Sequence, residues 1–450
     1  MKAALQRLRR GGTATDSVWG IGVELTTMAS MMLTFVMLGR SLGPGGYGSY
    51  VVLYSIVSPL VTFGASGVTL ALLQHVVRDH EPLGATARSC MTVSLAFGAL
   101  LTGVGAVVAF LIVDGLAGIV MLVILVSEFV VSPLIVIAAV TNQAANSFSG
   151  ASRVRMSQAA AKALLVTTLY AAGELSIRTL GIGSLCVNIV LALVVLHRVG
   201  RRYGFRFAPG RPRLAHVRTN LVYSVGISAA SLNNDSDKTV LGANNLTEQA
   251  GLYGAAWRVV SLGVIPISSL SNASHREFLL HEEGVRGQHL RRAIRYARIG
   301  GVYGAAAGLV LALVAPLLPV VMGDGFRESV SIVRWLSPLI FLRAMTIFPL
   351  NALMGLGYTM FRSVVIVVTA AVAIALYVVL IPAHGWRGAA AGSLISETIE
   401  MIVIWSALEW AQRRSDRAII GESRDGGAGT SHSAEPATSD EQTVSGTRGP

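Results

Sequence analysis

The chain has 450 residues, of which 53% are hydrophobic and only 13% are charged. Soluble domains carry about 25% charged residues, so this composition excludes an ordinary soluble globular protein. The formal net charge of +12 would suit a nucleic-acid partner, but the positions of the basic residues along the chain indicate another origin.

The hydrophobic residues lie in runs of about 20, the length at which an α-helix crosses a bilayer. The short alternating strands of a transmembrane barrel do not occur. We therefore predict an all-α polytopic membrane protein with twelve transmembrane helices. Their predicted positions are residues 17–39, 47–73, 88–112, 116–140, 156–174, 178–197, 220–241, 252–273, 296–321, 330–354, 360–381 and 388–410.

Basic residues are concentrated in alternate loops, beginning with the N-terminus. Residues 198–218 alone contain seven arginines. The loops on the other side and their margins contain only Arg40, Arg178, Arg327 and Arg387. This asymmetry follows the positive-inside rule, which predicts that both termini are cytoplasmic. The positive charge is thus a feature of topology.

A repeat divides the twelve helices into two sets of six. Residues 38–58 align with residues 241–261 without a gap, at a shift of 203 residues. The tetrapeptide SPLI occurs at Ser132 and again at Ser337, 205 residues later. Two matches at nearly one shift indicate an internal duplication. Because six crossings return the chain to the same side, the copies are predicted to share one orientation about a pseudo-twofold axis along the membrane normal.

The domain organisation follows from the helices, the repeat and the charge. Residues after about 421 lack apolar periodicity and are rich in Gly, Ser, Thr and Glu, which favours disorder. The predicted parts are a basic cytoplasmic N-terminus (1–16), a first six-helix bundle (17–197), a basic cytoplasmic linker (198–219), a second six-helix bundle (220–410) and a cytoplasmic, mostly disordered tail (411–450).

Motifs of soluble catalysis are absent. Cys90 and Cys186 both lie in apolar runs, so neither a disulfide framework nor a metal cluster is predicted. The sequence contains no HExxH, GxSxG or phosphate-binding GxxxxGK[ST] motif. We expect no enzyme activity, no ATP hydrolysis, no metal and no cofactor.

Helix seven contains the unusual polar stretch NNDSDK, residues 233–238. Asp235 and Lys238 are three residues apart and can pair on one helical face. Two interpretations are open: a paired cluster that joins the two halves near the outer interface, or a polar wall of an outward-opening cavity. In the second case Asn234, Asp235, Asp237 and Lys238 would contact the transported molecule.

Three arginines lie within or at the ends of later helices. Arg343 is near the middle of helix ten and Arg334 near its outer end, and nine residues at 100° each put them on opposite faces. Arg258 lies early in helix eight. Arg343 is the strongest candidate for function, since a charge at this depth is costly. Lys162, early in helix five, is expected to extend to the inner surface.

Four glutamates lie inside predicted helices: Glu24, Glu128, Glu397 and Glu400. The last two are three residues apart on one face. Buried carboxylates of this kind either carry protons or pair with Arg and Lys, and both interpretations are open. Prolines that interrupt apolar runs are candidate hinges, because each removes a backbone hydrogen bond. The hinge candidates are Pro59, Pro133, Pro266 and Pro338.

Several segments together resemble the polysaccharide flippases of the multidrug/oligosaccharidyl-lipid/polysaccharide exporter superfamily. They are LGRSLGPGGYGSY (residues 38–50), DKTVLG (237–242), GLYGAAWRVVSL (251–262) with Pro266 beyond it, GDGFRESVSIVRWLSPL (323–339) and NALMGLGY (351–358). Arg258, the Asp237–Lys238 pair and Arg334 match family positions, and the resemblance covers most of residues 15–410.

The resemblance implies a transporter that moves a polyprenyl-diphosphate-linked oligosaccharide across the bacterial cytoplasmic membrane by alternating access. Because the sequence shows no nucleotide-binding motif, we expect an H+ or Na+ gradient to drive transport, with the buried glutamates as candidates for coupling. Partners in a polysaccharide assembly complex are also expected. Two alternatives are a drug antiporter of the same superfamily and a membrane glycan polymerase or ligase. The antiporter would favour carboxylates without basic partners, and the enzyme would need larger outer loops than this sequence provides.

Overall fold

A computed structural model describes residues 2–112, 117–279 and 287–428, and within these ranges the chain forms twelve long helices and no strands. The predicted class is therefore confirmed. The helices are α1 and α2 (the two parts of Lys2–Leu73), α3 (Leu83–Ile112), α4 (Gly118–Ala144), α5 (Phe148–Ala171), α6 (Ile177–Tyr203), α7 (Leu214–Ala243), α8 (Thr247–Leu279), α9 (Gln288–Val314), α10 (Ser329–Gly355), α11 (Thr359–His384) and α12 (Trp386–Ala428).

The boundary between α1 and α2 lies at Gly43. Its backbone has φ 63° and ψ −177°, a conformation outside the helical region that glycine adopts without steric cost. Pro44 follows and begins the next helix, as proline does at a first helical position. α2 ends in a π-helical turn, Gln74–Arg78. A tight outer turn therefore separates two predicted membrane spans.

Nine helical segments of the described chain are long and apolar enough to cross a membrane, and one of these, Gly22–Arg78, contains both α1 and α2. The two other helices, α5 and α7, are more polar, because α5 carries two arginines and a lysine and α7 carries the NNDSDK stretch. The polar residues of these two helices therefore indicate where a functional site lies within the membrane-spanning region.

Large apolar side chains cover the outside of the molecule. Phe110 and Leu111 are each 75% exposed, Val302 is 74% exposed and Val379 is 71% exposed. Exposed apolar surface of this extent requires an apolar environment, which the bilayer supplies. The chain is a multi-pass membrane protein.

The first six helices pack mainly with one another, as do the last six, and α2 packs antiparallel along α7 where the two sets meet. Polar contacts follow this seam from end to end. At the inner end the Tyr223 hydroxyl donates to Gln74 Oε1 at 2.7 Å, and towards the outer end Ser55 and Thr239 bond through their hydroxyls at 2.8 Å. The inner side is the one that carries the arginine-rich segments.

The internal duplication is visible in the packing. A Cβ atom placed on Gly48 would collide with the Thr247 carbonyl, and one placed on Gly251 would collide with the Pro44 carbonyl. Gly48 and Gly251 are related by the 203-residue shift, and so are Pro44 and Thr247. These reciprocal contacts mark the pseudo-twofold relation at the outer ends of α2 and α8.

In both copies the repeated SPLI segment lies at an irregularity of its helix. Pro133 follows a π-helical turn within α4, and Pro338 follows a break at Ser337 within α10. Pro59 and Pro266 lie inside α2 and α8. α12 continues to Ala428, beyond the predicted helix end at residue 410. The rest of the predicted tail, residues 429–450, lies outside the described residues.

Candidate functional site: a basic cavity and an acidic cluster

A cavity of about 800 Å³ lies inside the first six helices and touches α7 and α8. α1, α2, α4, α5 and α6 provide most of its wall. Val23 and Arg155 line it towards the inner side, and Leu38 and Tyr47 line it towards the outer side. The cavity therefore extends through much of the membrane-spanning region.

One face of α5 supplies the polar side of the cavity. Arg155, Gln158 and Lys162 follow the spacing i, i+3 and i+7, which places them on one helical face. Gln158 donates to Ser132 Oγ at 3.1 Å and so anchors this face to the proline break of α4. A line of amide and cationic groups results, with Arg155 at the inner end.

Lys162 lies in a group of polar residues at the middle of the cavity. Its ammonium is 5.5 Å from the centre of the Tyr54 ring. The Tyr54 hydroxyl donates to Glu128 Oε1 at 3.1 Å, and Glu128 is close enough to Lys162 to interact with it electrostatically. Tyr50 packs against Tyr54 with ring centres 4.4 Å apart. The group offers one cation and several hydroxyls to a bound molecule.

Arg258 reaches the cavity from α8 and lies near the Tyr47 side chain. The charged residues that line the cavity are Glu128, Arg155, Lys162 and Arg258. With all four ionised, their formal charge is +2. The cavity wall is thus basic, and it draws its charge from both halves of the chain.

The outer end of the cavity is closed by contacts between the two halves, which we call the outer seal. Tyr47 packs edge-on against Phe326 with ring centres 5.9 Å apart. Arg40 donates to the carbonyls of Val320 and Val321, at 3.1 and 2.6 Å. The reciprocal glycine contacts lie beside them, at Gly48 and Gly251. The cavity is therefore closed towards the outside.

The NNDSDK stretch belongs to a second polar site, which we call the acidic cluster; its charged members are Asp235, Asp237, Lys238, Arg343, Glu397 and Glu400. Lys238 Nζ bonds to Asp237 Oδ1 at 2.9 Å and to Asp235 Oδ1 at 3.4 Å. Asp237 is 1% exposed and lies near Tyr253. The predicted Asp235–Lys238 pair is present.

Arg343 and Glu397 form the other part of the acidic cluster. Arg343 Nε donates to Glu397 Oε1 at 3.1 Å, and its Nη2 donates to Asn234 Oδ1 at 2.7 Å. Glu400 accepts from Thr369 at 3.4 Å and lies near enough to Glu397 and Arg343 to interact with both. Four carboxylates and two cations thus lie together, with Asp235 and Arg343 partly exposed and the others buried, and their formal charge is −2 if every group is ionised.

Trp257 joins the two sites. Lys238 Nζ is 4.6 Å and the Arg343 guanidinium 5.0 Å from the centre of its ring, within the range of cation–π attraction. The next residue, Arg258, lines the cavity. The two polar sites therefore lie back to back across α8.

The other predicted residues lie elsewhere. Arg334 is exposed on α10 and donates to the Ala312 carbonyl at 3.3 Å, away from both sites. Glu24 is exposed on α1, one residue from Val23 of the cavity wall. Among the predicted substrate contacts, Arg258 lines the cavity, whereas Arg343, Lys238, Asp237, Asp235 and Asn234 form the acidic cluster.

Sequence reasoning did not assign Lys162 and the tyrosines of α2 to a site. Lys162 was expected to extend to the inner surface, but the structure places it in the cavity wall. A signal was available, since the spacing of Arg155, Gln158 and Lys162 on an otherwise apolar helix marks one polar face. Tyr54 also aligns with Trp257 at the repeat shift.

Comparison with known proteins identifies the fold. The profile of the family described as polysaccharide biosynthesis protein matches residues 14–274. No curated protein matches the chain. An inward-facing multidrug resistance MATE transporter of the MOP superfamily superimposes with a TM-score of 0.71 at 14% identity, covering 87% of this chain and 96% of that one.

Two further structures give the same result. An outward-facing MATE transporter of the MOP superfamily has a TM-score of 0.58 at 13% identity, over 88% of this chain and 94% of that one. A MOP superfamily transporter from Pyrococcus furiosus, described as having a binding pocket of reverse polarity that suggests a different function, has a TM-score of 0.59 at 12% identity, over 87% and 94%. The chain has the fold of these proteins.

Proposed function

Because this chain belongs to the polysaccharide biosynthesis protein family, we propose that it is a transporter that moves a polyprenyl-diphosphate-linked oligosaccharide across the bacterial cytoplasmic membrane. The observation that carries the proposal is the basic cavity. Its lining combines Lys162 and Arg258 with the hydroxyls of Tyr47 and Tyr54. Such groups suit an anionic, hydroxyl-rich molecule.

The diphosphate is the part of this substrate that the cations would bind. Lysine and arginine bind phosphate oxygens through charge-assisted hydrogen bonds, which are about twice as strong as neutral ones. Lys162 and Arg258 come from different halves of the chain, so a diphosphate between them would hold the halves together. The lipid tail would remain in the bilayer. Arg343, the predicted phosphate contact, already bonds to Glu397 and Asn234, and so we assign the diphosphate to Lys162 and Arg258 instead.

The closed outer seal supports transport by alternating access. In the described arrangement the cavity is bounded outside by Tyr47 and Phe326. Release to the outer leaflet would require the outer ends of α2 and α8 to separate, by rocking of the two bundles about the repeat axis. The breaks before Pro133 and Pro338 occur at matching places in both bundles and are the hinges that we propose.

The acidic cluster is the proposed coupling site. A largely buried group of four carboxylates and two cations is costly unless protons or a metal cation compensate the excess negative charge. H+ or Na+ moving down its gradient would supply that compensation. Glu397 and Glu400 are the proposed ion-binding carboxylates. Glu128 lies near Lys162 in the cavity, so a substrate that binds to Lys162 would change the electrostatic surroundings of Glu128.

The polarity of the cavity separates this function from drug antiport. A cavity for organic cations would be expected to carry unpaired carboxylates, whereas Glu128 here is accompanied by Lys162 and Arg258. The MOP superfamily transporter from Pyrococcus furiosus, described as having a pocket of reverse polarity, illustrates that polarity varies within this fold. The basic wall favours an anionic substrate.

The test is movement of a lipid-linked sugar in proteoliposomes. Purified protein would be reconstituted with a fluorescent polyprenyl-diphosphate oligosaccharide, and its exposure in the opposite leaflet would be followed with and without a proton or sodium gradient. We expect gradient-dependent movement that is lost in Lys162→Gln/Arg258→Gln and kept in Arg334→Gln, a control outside the cavity. Extrusion of a cationic dye without movement of the sugar would instead establish the antiporter.

A further inference from the structure

A group of metal-ligand side chains lies at the inner end of the seam between α2 and α7. His75 belongs to the last turn of α2, Glu81 to the following loop and His216 to the first turn of α7. One potential ligand atom from each lies within 4.8 Å of the others. We propose that His75, Glu81 and His216 form a binding site for a divalent transition-metal ion of the zinc type, which joins the inner ends of these two helices.

The three ligand atoms are near enough to be drawn onto one ion. Zinc lies about 2.0–2.2 Å from its nitrogen and oxygen ligands, so the ligand atoms of its tetrahedron lie about 3.3–3.6 Å apart. The three atoms here lie within 4.8 Å of one another. Each would therefore move inward by less than about 1 Å when an ion binds. Two imidazoles and a carboxylate suit zinc and its neighbours rather than Mg²⁺ or Ca²⁺, which prefer oxygen ligands alone.

His216 is oriented as metal-ligating histidines are. Its Nδ1 lies 2.8 Å from Ser89 Oγ, and its Nε2 lies 3.1 Å from Glu81 Oε2. A hydroxyl both donates and accepts, so Ser89 can bond to either tautomer of the ring. With the proton on Nδ1, the Nε2 lone pair faces the proposed ion. Such an outer partner fixes the ring of a ligand histidine.

His75 is buried, with 5% of its surface exposed. Nδ1 lies 2.9 Å from Asp79 Oδ2 and 3.7 Å from Glu81 Oε1, and Nε2 has no hydrogen-bond partner in the described part of the chain. Its ring packs against that of His216 with centres 4.3 Å apart. A buried nitrogen without a partner costs free energy that a metal bond would recover.

Glu81 is held in place by its neighbours. Its Oε2 accepts a hydrogen bond from the Thr86 hydroxyl at 3.0 Å and lies 3.1 Å from His216 Nε2. Arg213 Nη1 lies 2.8 Å from Glu81 Oε2 and occupies the place of a cation. Its side chain is 54% exposed, so it can turn into solvent when an ion binds. Glu81 Oε1 remains free to face His75 and the ion.

The sequence predicts no metal site, because its two cysteines lie in apolar runs and no short metal-binding motif occurs. His75 and His216 are 141 positions apart in the chain, and neither lies in a spacing that indicates a ligand. The antiparallel packing of α2 and α7 brings them together. The proposed metal site does not depend on which molecule the cavity transports.

The experiment is zinc binding to the full-length protein, purified in detergent through a tag without histidines and stripped with a chelator. Calorimetric titration with Zn²⁺ is expected to give one saturable site, and Zn²⁺ is expected to raise the melting temperature. His75→Gln and His216→Gln should each abolish both effects. His197→Gln, an exposed histidine of α6, is the matched control and should preserve them.

Ser89→Ala is a second test of the site that does not depend on whether the histidine variants fold. It keeps all three ligands and removes only the outer partner, so we expect a 10–100-fold weaker affinity for Zn²⁺. Absence of saturable binding to the wild-type protein would overturn the proposal. Binding of equal affinity in the wild type, His216→Gln and Ser89→Ala would overturn it as well, since the ion would then lie elsewhere.

Discussion

Tyr54 and Trp257 occupy matching positions in the two halves of the chain, and each ring lies beside a cation. Lys162 is 5.5 Å from the Tyr54 ring, and Lys238 and Arg343 are 4.6 and 5.0 Å from the Trp257 ring. The surroundings differ in charge. The cavity wall around Tyr54 is basic, with formal charge +2, whereas the acidic cluster around Trp257 has formal charge −2.

This difference separates the features that the two duplicated halves share from the features in which they differ. The outer contacts of Gly48 and Gly251 remained reciprocal, because close backbone packing leaves no room for a side chain at either position. The charged residues diverged, because a cavity and a packed cluster impose different electrostatic demands. The matching positions of the two halves thus lie in surroundings of opposite charge.

The largest effect is expected in the acidic cluster. Asp237→Asn would remove the fully buried partner of Lys238, which lies 2.9 Å away. Breaking a buried ion pair from one side costs about 3–5 kcal/mol, and since Asp235 remains, we expect a loss of about 3 kcal/mol in the free energy of unfolding. Denaturant unfolding in detergent micelles would measure it.

The matched control for this prediction is Asp324→Asn. Asp324 pairs with Arg327 at 2.9 Å, but both side chains are largely exposed, so we expect a change below about 1 kcal/mol. The double variant Asp237→Asn/Lys238→Met should recover part of the loss, because it removes the buried Lys238 charge that Asp237→Asn leaves without its closest partner. Equal losses for Asp237→Asn and Asp324→Asn would contradict the assignment of the cluster as a buried network.

A smaller effect, on binding, is expected in the cavity. Lys162→Gln would remove a hydrogen bond to a charged group, worth about 1.5–3 kcal/mol. If the lost binding free energy is about 2 kcal/mol, the apparent affinity for the polyprenyl-diphosphate oligosaccharide should fall about 30-fold. Fluorescence titration of the purified protein with the labelled lipid would test this expectation.

Glu128 provides the control that separates binding from folding. Lys162→Gln alone leaves Glu128 without its nearby cation, so Lys162→Gln/Glu128→Gln should restore thermal stability without restoring affinity. Lys162→Arg should retain most of the binding, since it keeps the charge. A double variant that binds as tightly as the wild type would show that Lys162 acts only as a partner of Glu128.

The smallest effect is expected at the outer seal, where the two halves are alike. Gly48→Ala and Gly251→Ala should each lower the free energy of unfolding by about 1–2 kcal/mol, because the added methyl meets a backbone carbonyl. Gly45→Ala is the control, as its Cβ would have no neighbour within 4 Å. Losses in only one of Gly48→Ala and Gly251→Ala would show that the seal is not symmetric.

The sequence by itself determined the membrane class, the twelve helices and the duplication. Helix length and hydrophobicity are local properties, because a backbone in lipid must satisfy its hydrogen bonds within each helix. Each of the twelve predicted runs falls on a helix of the structure. The tandem SPLI segments and the glycine matches likewise required only comparison along the chain.

The tertiary structure decided which charged residues act together. The direction in which a helix presents a side chain depends on its rotation against neighbouring helices, which one sequence does not contain. Lys162 thus lies in the cavity wall with Arg258, and Arg343 pairs with Glu397, whereas Arg334 is exposed. His75 and His216 lie together for the same reason, because the antiparallel helices α2 and α7 pack with their inner ends side by side.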